Sequence, residues 1–362
     1  METTIKDIAR KCGVAVSTVS RAINNHPDIN PRTRELVLQT IAEHNYVPNN
    51  SARNLKRTAS RTIAILVKGI SNPLFSALVQ MIEKEISRNK YNFFLQHVDE
   101  LQDEIDVALE LIKEKRLKGI VFLGGYFSHS KEKLKQLNVP FVLSTAGIQR
   151  LEDGTVGSCF SVDDQAESYK MTDFLCRLGH QRIAILGALE GDLSIGRLRL
   201  LGYREALIEH GRSVDERLIR YMKEDIPSYS MQNGYEVMKE LLEEDLSFTA
   251  VYAISDMQAI GACKAIFQKG YRIPDDFAVA GFDGLPDTYY YEPSITTIKQ
   301  PVEDIAKASI QALFHMIKDK EAVPGKVFAG HLFERESTAR ASETGGLYVK
   351  RRNETETGRY FK

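Results

Sequence analysis

The chain has little of what marks a secreted, membrane-spanning or metal-holding protein. Its four cysteines, Cys12, Cys159, Cys176 and Cys263, lie far apart and form no CxxC pair. That spacing offers no zinc site and suits buried thiols in a reducing cytoplasm. No apolar run approaches the ~18 residues that suggest a membrane span, and residues 1–25 lack the apolar core of a signal peptide. A cytoplasmic protein with no membrane partner is therefore expected. P-loop, GxSxG and metal-ligand patterns are also missing. We accordingly expect no enzyme, no catalytic residue, no cofactor and no metal.

What is present is uneven. The formal net charge is only −1, but residues 1–61 hold 10 Lys+Arg against 5 Asp+Glu, and the remainder is net acidic. A basic head on an acidic body points to a polyanion partner at the N-terminal end.

In that head, Ile5, Ile8 and Ala9 recur at helical spacing, and Thr4 with Asp7 makes a capping-box pair. Gly13 permits a tight corner. A second helix follows, with Val19, Ala22 and Ile23 on its buried side and Val16, Ser17, Ser20 and Arg21 facing out. Asn30 and Pro31 start a third helix, as cap and first turn. It is expected to continue through Val37 and Ile41 to Tyr46. A short helix over about 50–57 would carry Leu55 among basic residues, where it has little core to join. This is a helix-turn-helix arrangement with a basic extension.

Thr4-Ile5-Lys6-Asp7-Ile8-Ala9, Gly13-Val14, Ser17-Thr18-Val19-Ser20-Arg21, Asn45-Tyr46-Val47-Pro48-Asn49 and Ala52-x-x-Leu55 follow in order. In order and spacing they resemble the lac and galactose repressor (LacI/GalR) family of bacterial transcription regulators. The resemblance runs to about Thr338. It implies that Val16, Ser17 and Arg21 read base edges in a major groove, and that Leu55 wedges into the minor groove. It implies phosphate contacts from Thr4, Ser20, Asn24, Asn30, Thr33, Tyr46 and Asn49. The family usually has Ser at the position of Ala15, as cap of the second helix. Ala lacks that oxygen, and Ser17 could take over by shifting the helix start.

From residue 62 the pattern becomes alternating apolar strands and amphipathic helices, the mark of open parallel sheets. It then restarts. Ile63-Ala64-Ile65-Leu66 recurs as Ile183-Ala184-Ile185-Leu186; 119–123 matches 250–254; 140–143 matches 277–280. Two similar lobes around a ligand cleft follow. The expected fold is an all-α helix-turn-helix head joined by a hinge helix to a two-lobed, periplasmic-binding-protein-like α/β body. The expected bounds are 1–47 for the head, 48–61 for the hinge and linker, and 62–340 for the body. Lobe 1 would take about 62–160 and 293–322, and lobe 2 about 161–292 and 323–340. Residues 341–362 read as a polar, disordered tail without the Leu heptads of tetrameric members, so a homodimer is expected.

By the same resemblance, Asn72, Phe75, Thr145, Arg199, Tyr229, Ser255, Asp256, Asp283 and Gln300 would bind the effector. Carboxylates, an Arg and a flat aromatic suit polyhydroxylated ligands. Asp163, Asp164 and Arg197 read as structural, and His180 as a family turn residue. Two departures from the family bear on ligand identity: Ser144-Thr145 stands where many members have Asp, and Ser255 replaces Asn. They suggest a carboxylated or phosphorylated sugar. The function implied is a repressor that binds a palindromic double-stranded operator under control of a small molecule. A catabolite-control-type regulator with a protein corepressor stays open. A solute-binding protein is disfavoured by the basic head.

Overall fold

The computed structural model describes residues 4–23, 26–44, 61–99, 102–125, 129–145 and 157–338. The chain divides into two units, Met1–Ser60 and Arg61–Lys362.

The first unit contains α1 (Ile5–Cys12), α2 (Val16–Ile23) and α3 (Pro31–Glu43). Thr4 Oγ1 accepts the Asp7 N–H at 3.4 Å, and the Asp7 carboxylate accepts the Thr4 N–H at 3.0 Å, a reciprocal cap. Gly13 ends α1 with φ +64°, where a side chain would be strained. Asn30 caps α3 by accepting the Arg32 N–H at 2.9 Å. Ile8, Ala9, Val19, Ala22 and Val37 form the small core. The Ala15 carbonyl accepts from the Thr18 and Val19 N–H groups, so α2 begins at Val16. Its start has not shifted towards Ser17. The expected hinge helix around Leu55 falls, like Asn24, Tyr46 and Asn49, outside the described residues.

The second unit opens with β1 (Thr62–Lys68), α4 (Pro73–Arg88), β2 (Asn92–Val98), α5 (Glu104–Glu114), β3 (Gly119–Leu123), α6 (Lys131–Lys135), β4 (Phe141–Ser144) and β5 (Gly157–Val162). It continues with α7 (Asp164–Arg177), β6 (Ile183–Leu186), α8 (Ile195–Glu209), β7 (Ile219–Arg220), α9 (Met231–Leu241), β8 (Ala250–Ala253), α10 (Asp256–Gln268), β9 (Ala278–Asp283) and α11 (Asp287–Tyr290). It closes with β10 (Thr296–Lys299), α12 (Val302–Asp319), β11 (Lys326–Phe328) and β12 (His331–Phe333).

The strands form two sheets, ordered β11-β5-β4-β3-β1-β2 and β12-β10-β9-β8-β6-β7. Apart from antiparallel β12, every pairing is parallel. The sequence repeat is visible in this order: the three matched segments are β1 with β6, β3 with β8 and β4 with β9, at equivalent places in the two sheets. Both faces of each sheet are covered, as parallel sheets require. Ile63, Ile65 and Val67 pack with Leu78, Ile82 and Ile86 of α4, while Ala64 and Leu66 pack with Ile105 and Ala108 of α5.

Close helix pairing needs glycine in the second lobe. A Cβ on Gly261 of α10 would lie 2.0 Å from the Met231 carbonyl oxygen, and one on Gly234 of α9 would lie 2.3 Å from that of Gln258. The lobe boundaries differ from the sequence expectation. β5 runs to Val162 in the first sheet; β10 pairs with β9 in the second; β11 returns to pair with β5 in the first. Residues 293–300 thus lie with the second lobe and 326–328 with the first. The partner of a short strand is chosen by non-local pairing, which local patterning does not carry.

Candidate functional site

In the first unit, α2 buries Val19 and Ala22 and presents Val16, Ser17 and Arg21 to solvent on the opposite side. Among the described residues no carboxylate pairs with the Arg21 guanidinium. Thr4 and Asn30 are exposed, and Thr33 is half-buried. Thr4 and Asn30 both sit at helix N-termini, where backbone N–H groups favour an anion. An exposed Arg with small neighbours can enter a groove and offer a bidentate fork to guanine.

In the second unit a cavity of about 300 Å³ is lined from the carboxyl ends of both sheets. Lys68 ends β1, Gly124 follows β3, Thr145 follows β4, Ala188 follows β6 and Asp283 ends β9. This is where open α/β sheets bind ligands, because the loops leaving the strand ends are not used in the sheet. Three non-glycine lining residues hold positive φ: Thr145 (65°), Tyr229 (55°) and Asp283 (120°). The other non-glycine residues of positive φ sit just past helix ends. Backbone strain of this kind costs about 1–3 kcal/mol per residue and gathers at ligand sites.

Asp283 is 2% exposed. Its Oδ2 accepts from Asn72 Nδ2 and its Oδ1 from Gln300 Nε2, both at 2.9 Å. Burial raises its carboxyl above the usual range, opposed by Arg199, Asn72 and Gln300. Beneath it Asp256 accepts from the Leu285 N–H at 2.7 Å and the Thr297 hydroxyl at 2.6 Å. Burial and the Asp283 charge push Asp256 well above the carboxylate range.

Arg199 reaches the cavity wall but is only 1% exposed. Its Nε and Nη2 both lie 2.9 Å from Asp164 Oδ1, and Nη1 donates to the Ile254 carbonyl. The guanidinium stacks 3.6 Å from the Phe282 ring centroid, and Nη2 is 3.9 Å from Asp283. Burial pushes the Asp164 carboxyl up to about 6 despite the pull of Arg199. The second lining cation, Lys68, lies 2.6 Å from the Gln102 carbonyl and 3.4 Å from Glu104 Oε2. Glu104 in turn holds His129 at 2.7 Å. Among the described lining residues the carboxylates are Glu190, Asp192, Glu224 and Asp283.

Of the residues expected at the effector site, Asn72, Phe75, Thr145, Arg199, Tyr229, Asp283 and Gln300 come together on this wall. Ser255 and Asp256 do not. Ser255 caps α10 and is fully buried, and Asp256 serves the β9 turn below the floor. The Thr145 hydroxyl accepts the Gly124 N–H and donates to the Ser144 carbonyl, which fixes the loop ends. Asp163 caps α7, and His180 Nδ1 lies 2.9 Å from the Thr249 hydroxyl, both internal roles. Sequence reasoning missed Lys68 and the 188–195 loop. The internal repeat held the signal: an offset of 120 from Ile63 to Ile183 carries Lys68 onto Ala188.

Residues 4–49 match the family model described as bacterial regulatory proteins, lacI family, and 172–338 match the periplasmic binding protein-like domain. The HTH-type transcriptional regulator MalR of Clostridium butyricum is 38% identical over 335 residues, 92% of this chain and 98% of that one. The chain belongs to the lacI family of bacterial regulatory proteins. As a member it is a DNA-binding transcription regulator, and its relatives are named as regulators, not enzymes. A solved complex of the transcriptional regulator CelR with cellobiose is 28% identical, with TM-score 0.65, over 93% of this chain and all of that one. A lac repressor dimer bound to operator and an anti-inducer shares the fold, with TM-score 0.68 at 24% identity over 94% of this chain and all of that one. Among the described residues no helix is long and apolar enough to cross a membrane, and no group of three or more His, Cys, Asp or Glu is placed to hold a metal.

Proposed function

We propose that this lacI-family regulator is a homodimeric repressor whose operator affinity is set by a neutral sugar held between the lobes of each body. The observation that carries the reading is the cleft's charge inventory. Among the described residues both lining cations are engaged, Arg199 with Asp164 and Lys68 with Glu104, while Glu190, Asp192, Glu224 and Asp283 line the cavity. Among the described lining residues, an anionic ligand would meet more negative than positive charge. A polyhydroxylated neutral one would donate to Asp283 and stack on Tyr229 and Phe75. This replaces the carboxylated or phosphorylated sugar suggested by the sequence departures. The bound cellobiose of CelR supports it.

At the DNA, two heads would place Val16, Ser17 and Arg21 in successive major grooves of a palindromic operator. Thr4, Ser20, Asn30 and Thr33 would fix the register through phosphates. Effector and operator then shift each other's affinity reciprocally, typically by about 1–3 kcal/mol.

A thermal-shift panel of neutral mono- and disaccharides, sugar acids and sugar phosphates tests the cleft. A ligand at about 100 times its Kd adds roughly 2.7 kcal/mol. A neutral sugar should raise Tm, and Asp283→Asn should weaken the response. Hits confined to acids or phosphates would overturn the charge argument. A panel without hits, on folded protein that binds operator, would move the reading to a protein corepressor.

A further inference from the structure

Two neighbouring residues of the β1–α4 turn cross from the first lobe to the second. Asn72 Nδ2 donates to Asp283 Oδ2 at 2.9 Å, and Ser71 Oγ donates to the Ser228 carbonyl at 3.2 Å. Asp283 closes β9 of the second sheet, and Ser228 precedes α9 beside Tyr229. Both bonds run across the cleft. Asn72 also has a local task. Its Oδ1 accepts the Leu74 N–H at 3.0 Å and caps α4. One amide therefore caps with its oxygen and bridges with its nitrogen, a division that neither Ser nor Asp can make across this distance. The bridge ends on a buried carboxylate in a strained backbone, and Gln300 holds the other oxygen.

We propose that Asn72, seconded by Ser71, is a clasp that by itself holds the two lobes together across the cleft and positions Asp283 for the effector. Asp283 still has lone pairs for ligand hydroxyls, since a carboxylate accepts about four hydrogen bonds and two partners are fixed here. The effector then adds to a closed form that is already populated, and its apparent affinity scales with that closed fraction. The clasp itself needs no ligand; only its consequence for operator control rests on the effector reading above.

The test is made on full-length, ligand-free protein by spin-label distance measurement between Lys84→Cys and Lys264→Cys, exposed positions on the two lobes. The background is Cys12→Ser, because the other three cysteines are buried. Asn72→Ser keeps an oxygen that caps as well as Asn and removes only the bridging nitrogen. A hydrogen bond to a charged group is lost, so the closed-to-open ratio should fall about tenfold or more and longer distances should appear. Ser71→Ala, at an exposed residue, should shift the ratio the same way by roughly two- to tenfold. Identical distance distributions in the parent and Asn72→Ser would overturn the clasp, even with a lowered Tm, because a purely local cap or packing role alters stability without opening the lobes. Should Asn72→Ser not fold, an unchanged distribution in Ser71→Ala would overturn it. The sugar panel reads a different quantity, so the effector assignment and the clasp fail separately.

Discussion

Arg199→Met removes the guanidinium beside the buried carboxylates of Asp164 and Asp283. In the native protein Asp164 receives two bonds of 2.9 Å from Arg199 and is 2% exposed. Breaking a buried pair by deleting one partner typically costs about 3–5 kcal/mol. In a domain of this size each kcal/mol moves Tm by about 2–4 °C, so a fall of roughly 10 °C is expected at pH 7.5. The pH dependence distinguishes this from simple loss of packing. Burial already pushes Asp164 from 3.8 up to about 6. The folded form therefore binds that proton more tightly than the unfolded chain. Stability from this group is full below about 3.8 and declines as pH rises towards 6, by about 3 kcal/mol in all. Without Arg199 the carboxyls of Asp164 and Asp283 lose the group that lowers them, and the declining window moves to higher pH. The deficit of Arg199→Met should accordingly be smaller at pH 5.5 than at 7.5. Thermal unfolding at both pH values measures it, with Arg204→Met as comparison. Arg204 pairs with the exposed Glu216, and such surface pairs contribute roughly 1 kcal/mol or less. Equal losses at the two pH values, or no greater loss than for Arg204→Met, would refute the reasoning.

Gly261→Ala places a Cβ 2.0 Å from the Met231 carbonyl and 2.7 Å from the Tyr235 nitrogen; α9 and α10 must part, and overpacking of this kind costs about 1–3 kcal/mol, read as a lower Tm with head-domain DNA binding retained. Arg21→Ala, at an exposed residue of α2, should leave Tm unchanged and weaken a duplex selected by the protein itself by roughly 5- to 150-fold, the loss of about 1–3 kcal/mol for one bidentate base contact. Anisotropy against that duplex and a scrambled one decides it: an equal loss on both would reduce Arg21 to a phosphate contact.

Much was legible without coordinates. Residues 1–44 carry their own instructions in short-range terms: Thr4 with Asp7, Gly13, and Asn30 with Pro31 fix three helix ends through contacts within a few residues. The apolar runs of β1, β3, β6 and β8 and the 120-residue echo between lobes were equally plain, since strands buried on both faces are written as continuous hydrophobic stretches. The cleft residues Asn72, Arg199 and Asp283 were found only through family resemblance; no local pattern marks them.

Tertiary structure decided the rest, because the deciding contacts join distant residues. Arg199 meets Asp164 across 35 positions and Asn72 meets Asp283 across 211. Those pairings give the cavity-lining Arg199 a buried partner and make a helix cap also a bridge between lobes. Ser255 and Asp256 looked like ligand contacts beside Asp283, yet the depth of β9 and α10 puts both beneath the floor. The placement of β10 and β11 in the two sheets likewise rests on their pairing with β9 and β5. Sequence determined which segments are helix or strand and that two alike lobes enclose a cleft, because those follow from periodicity and capping within a few residues. Only the folded chain decided which charges in the cleft remain for a ligand, because neutralisation depends on partners brought within about 4 Å from remote parts of the sequence.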